Sequence, residues 1–127
     1  MTLLAGKLGV WAAALVLTAG AAKPTKAEAL KQQAEKLAQQ AQKLAKPEGC
    51  QKVEECQVAG FGHKACGGPR EYIAYCSRTT DVKALQGKLA ELEKAEQAWQ
   101  QEAHIMSLCS LTRRPLPKLV DGACRAK

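Results

Sequence analysis

The chain of 127 residues carries 19 basic and 12 acidic side chains, a net charge of +7, and six cysteines beside only five aromatic residues. That length suits one small domain, and the shortage of aromatics excludes a large conventional core, so covalent cross-links must supply more of the stability than usual. The charge comes without an arginine cluster or stacking aromatics, which argues against nucleic-acid binding and leaves a solvated lysine-rich face or an anionic envelope component as its meaning.

Residues 1–21 have the layout of a cleavable secretory signal: Lys7, then the apolar run LGVWAAALVLT, then the small residues AGAA at 19–22. Cleavage is expected after Ala21, with Ala22 as the alternative. The apolar run is short of the roughly 20 residues of a membrane span and stops at Lys23 and Pro24. No cysteine stands at the boundary to take a lipid. The expected product, residues 22–127, is a single disulfide-stabilised domain, soluble, without a transmembrane anchor, and found in the periplasm or secreted.

Residues 25–46 place Ala27, Leu30, Ala34, Leu37, Ala41 and Leu44 at alternating spacings of three and four, which predicts a helix with a coiled-coil-like stripe. Thr25 and Glu28 have capping-box spacing, and Pro47 and Gly49 supply a stop. Half of the stripe is alanine, so the helix needs a partner. In residues 49–79 the periodicity disappears and four cysteines crowd together. Short strands are read near 55–59 and 71–76, the second with Glu71, Ile73 and Tyr75 facing one way and Tyr72, Ala74 and Cys76 the other. Between them Cys66, Gly67, Gly68 and Pro69 make a tight turn.

Residues 81–107 resume the helical rhythm through Val82, Leu85, Leu89, Leu92, Trp99, Ala103 and Met106, with Thr80 or Asp81 as cap. Glu96 interrupts this stripe, either to pair with a lysine of the first helix or as an exposed charge where the contact frays. Residues 108–127, with Pro115, Pro117 and a turn at Asp121 and Gly122, read as an extended tail. The expected fold class is therefore α+β, mostly α: an antiparallel pair of long helices, a small disulfide-stapled central segment with a short β-hairpin possible in it, and the tail.

The chemistry of Cys50, Cys56, Cys66, Cys76, Cys109 and Cys124 follows from compartment and spacing. Gaps of 5, 9, 9, 32 and 14 residues contain no Cys-x-x-Cys redox motif and lack the close ligand pairs of structural zinc sites, so disulfides are expected and no metal or cofactor. Six cysteines allow 15 pairings. Cys109 and Cys124 can close on each other, or at least one can reach the central segment, which would fix that segment to the second helix. His63 and His104 are the only histidines, neither in a metal-binding pattern. Ser77, Ser107 and Ser110 lack nucleophile-elbow glycines, and GFGHKACGG lacks the Lys-Ser or Lys-Thr of a phosphate-binding loop. No catalytic residue is assigned, and the chain is expected not to be an enzyme.

The run CQVAGFGHKACGGPREYIAYCS, followed by a helix and the late Cys109 and Cys124, resembles a group of small uncharacterised exported bacterial proteins. In that group a cysteine pair precedes Ala-Cys-Gly-Gly-Pro with tyrosines just after it, here Ala65 to Pro69, Tyr72 and Tyr75. The group often has serine at the position of Cys76 and a further cysteine nearer Lys118, so its disulfide pattern does not carry over. The resemblance implies an exported, disulfide-bearing protein and no activity.

Two functions suit these features. One is a non-enzymatic binding or inhibitor-like module that presents Phe61, His63, Lys64, Tyr72 and Tyr75 from a stapled loop to an unknown protein or anionic envelope component; the competing reading makes the aromatics a miniature core. The other is a structural or assembly role in the envelope through the helices, with homo-oligomers among its forms.

Overall fold

The computed structural model describes residues 20, 22–110 and 112–126; the predicted signal segment and its cleavage site therefore lie almost wholly outside the described residues. The element order is α1 (Lys26–Leu44), a single 3₁₀ turn (Val53–Glu55), β1 (Cys56–Phe61), β2 (Glu71–Cys76), α2 (Val82–Glu102), β3 (Lys118–Val120) and β4 (Ala123–Arg125).

Both helices begin where side chains satisfy otherwise unpaired N–H groups. Thr25 and Glu28 form a reciprocal capping box on α1, and the Asp81 carboxylate accepts from the Ala84 N–H at the start of α2. The helices run past each other in opposite directions. Lys26, at the start of α1, pairs with Glu102 at the end of α2, while the Thr80 hydroxyl bonds the backbone of Lys46 at the far end. Ala34 and Ala41 of α1 are buried, as the small side chains of its stripe permit.

β1 and β2 form an antiparallel ribbon in which Cys56 stands opposite Cys76 and Phe61 opposite Glu71. One face packs on the helices. Phe61 and Tyr75, with Ala59 and Ile73 beside them, meet Ala41, Leu85 and Leu92. The other face carries Cys56, Cys76 and Ala74 and is covered by Cys50, Cys124 and Leu119. Cys124 and Leu119 belong to a second antiparallel ribbon, β3–β4, whose tight turn uses Asp121 and Gly122 at φ 51° and 77°. Two consecutive left-handed residues are what the type I′ two-residue hairpin turn demands, and an Asp-Gly pair supplies them at low cost. The α1–β1 connector bridges the ribbons: Lys46 C=O accepts from Cys76 N–H, Pro47 C=O from Cys124 N–H, and Gly49 N–H donates to Gly122 C=O.

The expected fold class is corrected by these two small sheets. The molecule is α+β with three disulfides, rather than a long antiparallel helix pair trailing an extended tail. Residues 118–125 fold back as a hairpin because Cys56–Cys124 fastens β4 to β1 across 68 residues of sequence. α2 also ends five residues before the expected boundary. His104 takes φ 52°, Ile105 N–H turns back to Gln100 C=O, and Met106 stands 93% exposed instead of continuing the apolar stripe. That departure lets Cys109 reach Cys66.

Candidate functional site

The loop of residues 62–70 leaves β1 and returns to β2 over the carboxyl-terminal half of α2. Glu96, only 5% exposed, organises its base. Its carboxylate accepts from the His63 backbone N–H and from both Nε and Nη2 of Arg70, the latter at 2.9 Å. Burial acts to lower the pKa of Arg70, but hydrogen bonding and attraction from Glu96, helped by Glu71, outweigh it and hold the guanidinium above its ordinary value. The expectation of a lysine partner or an exposed charge at Glu96 is thereby corrected. The carboxylate within the apolar stripe is buried and meets a cation that reaches it from the exposed loop.

Gly62 makes this approach possible. It has φ +74°, and a Cβ there would lie 2.5 Å from Oε2 of Glu96 and 2.7 Å from Nε of Arg70. His63 is fixed in turn. Nδ1 lies 2.9 Å from Oε1 of Gln100 and Nε2 lies 3.2 Å from Nε2 of Gln97, partners that assign the proton to Nδ1. Gln100 also donates to the His63 carbonyl. Among the described residues, no buried side-chain nitrogen or oxygen lacks a hydrogen-bond partner.

The loop tip is held separately. Cys66 is bonded to Cys109, Cys66 N–H donates to the Ser107 hydroxyl, and Lys64 Nζ donates to Thr112 Oγ1 and the Ser110 carbonyl. Within the loop, Lys64 N–H donates to Gly68 C=O and Gly67 N–H to Lys64 C=O, closing the turn expected at Gly67 and Gly68. Residues 65–68 nevertheless remain exposed. A cleft of about 540 Å³ lies alongside, lined by His63, Gln97, Gln100, Gln101, His104 and Met106.

Of the five side chains expected to share a contact loop, Phe61 at 1% exposure and Tyr75 at 6% are core residues. His63, Lys64 and Tyr72 are half-buried and lie near the loop. Sequence reasoning passed over Arg70, Gln100 and Arg114. Arg114 donates to the Val58 carbonyl and lies 5.9 Å from the Tyr72 ring, across the outer side of β1.

All six cysteines pair, as Cys50–Cys76, Cys56–Cys124 and Cys66–Cys109. Both tail cysteines thus reach the central segment. The sulfurs of Cys50, Cys76 and Cys124 lie within 4.8 Å of one another, but as cystine sulfurs they are not the thiolates that ligate metals. Three disulfides suit an oxidising environment, and no helix among the described residues is long and apolar enough to cross a membrane. No family model matches the chain, and neither the curated proteins nor the solved structures yield a match.

Proposed function

We propose that this chain is a non-enzymatic binding module, inhibitor-like in construction, that acts in the periplasm or after secretion and presents residues 62–70 to a protein partner. One observation carries the reading: the exposed tip is fixed from both sides, by the Glu96–Arg70–His63 cluster at its base and by Cys66–Cys109 at its apex. A loop ordered before encounter loses little conformational entropy on binding. The mutual engagement of Glu96, His63 and Gln100 supports a positioning role over catalysis. The apolar stripe of α1 is turned toward α2 and the ribbon, which favours this reading over assembly through the helices.

The test is site-specific photo-crosslinking in the native host, with the crosslinker at the exposed loop residue Ala65 or at Gln33 on the exposed side of α1. A binding loop gives a discrete adduct from Ala65 alone. The same adducts from both positions, or adducts from Gln33 only, would overturn the proposal.

A further inference from the structure

The β1–β2 ribbon has an outer edge whose hydrogen-bonding state follows from three contacts. Ser77 N–H donates to Glu55 C=O, so the pair 55/77 is a closely bonded one, and the alternation of an antiparallel ladder makes 56/76, 58/74 and 60/72 the pairs whose backbone groups point away from the partner strand. Cys76 N–H accordingly points outward to Lys46 C=O. Val58 C=O likewise points outward, where it receives Arg114. Of the other outward groups of β1, Cys56 N–H is taken by Val53 C=O, while Val58 N–H and the N–H and C=O of Gly60 have no backbone partner among the described residues.

A cleft of about 620 Å³ runs along that edge, with α2 as its opposite wall; Gln57, Gly60, Tyr72, Leu89, Glu93 and Arg114 line it. The volume falls in the range of small-ligand sites of about 300–1,000 Å³. Its lining suits a short added strand: Val58 and Gly60 offer outward backbone groups two residues apart on one side, and Leu89 stands on the other between Gln86 and Glu93. Arg114 adds a cation, and among the described residues it has no ion-pair partner.

We propose that this groove takes up an extended peptide segment of a partner protein as a third strand on β1, with a carboxylate of that segment placed against Arg114. Arg114 now holds the position of the incoming backbone donor. A peptide N–H takes over Val58 C=O, peptide groups two residues on pair with Gly60, and the released guanidinium turns to the carboxylate. Strand addition of this kind draws affinity from main-chain bonds and selectivity from alternate side chains. The inference rests on the binding-module reading but places the main contact on the strand edge beside the loop.

The experiment selects binders to the oxidised mature chain from a phage-displayed random heptapeptide library and resynthesises them with N-methyl groups on alternate amides. One alternation should weaken binding at least tenfold and the other little, and bound peptide should slow hydrogen exchange at Gly60 and Val58. Val58→Pro removes an outward N–H without touching the ladder to β2, so it should weaken binding at least tenfold. Arg114→Gln should abolish the preference for carboxylate peptides, and comparing Asp-containing with free and amidated C-terminal peptides tells which carboxylate is read. Binders insensitive to N-methylation, and unaffected by either variant, would overturn the strand-edge site while leaving the loop reading intact. Absence of any binder would likewise overturn the strand-edge site alone, and a dimer abolished by Val58→Pro would overturn the partner peptide by showing that a second copy occupies the edge.

Discussion

One face of the β1–β2 ribbon rests on helices through Phe61, Tyr75, Leu85 and Leu92, whereas the other is covered at its Cys56–Cys76 end by cystines, with Ala74 and Leu119 as their apolar neighbours, and at its far end by Pro69 and Arg114. The helical side follows the usual route of burying large side chains. The far side uses two three-residue strands, too short to bury much area, and can close only because Cys56–Cys124 and Cys50–Cys76 fix its parts. A small chain can thus cover both faces of a ribbon when covalent bonds replace apolar area on one of them.

The largest effect should come from opening the cystine face. Replacing Cys56 and Cys124 together by alanine removes a link across 68 residues, for which chain entropy gives about 4 kcal/mol. Thermal unfolding should show that loss, while far-UV circular dichroism at low temperature keeps the helical signal; if helix content vanishes with the bond, the two faces are not separable.

Leu92→Ala attacks the opposite face at a fully buried side chain. It should cost about 3 kcal/mol, with protection lost first in α1 and α2 by hydrogen exchange. An equal loss of protection around Cys124 would mean that the ribbon transmits packing defects across its thickness. Gly62→Ala should be smallest, about 1–2 kcal/mol from the left-handed backbone position. Because the added methyl also collides with Glu96 and Arg70, it should loosen the loop more than it lowers the melting temperature. Exchange rates at 63–68 unchanged from wild type would count against the clamp.

The helical side was legible from sequence because its signals are local: the spacing of Leu85 and Leu92, the Thr25–Glu28 cap and the Asp81 cap all lie within a few residues of what they control. The alternation through Glu71, Ile73 and Tyr75 likewise separated the two sides of β2 but left open which of them meets the core. The far side was not legible, since β3 and β4 are held by bonds to residues 47–49 and 56, and three-residue strands after two prolines carry no periodicity of their own. At the loop, the Gly67–Gly68 turn could be read. The burial of Phe61 and the Arg70–Glu96 pair depended on how the ribbon lies against α2, which only the tertiary arrangement decides.

The closeness of the sulfurs of Cys50, Cys76 and Cys124, within 4.8 Å, bears on how the chain matures. A thiolate at any one of these positions sits within a small movement of an already formed neighbouring bond, the arrangement in which exchange through a mixed disulfide is fast. Wrongly joined isomers therefore cost the growing structure little distance, and strand register has to distinguish them from the native one. Such a chain gains from an oxidative folding environment that reshuffles bonds as well as one that makes them.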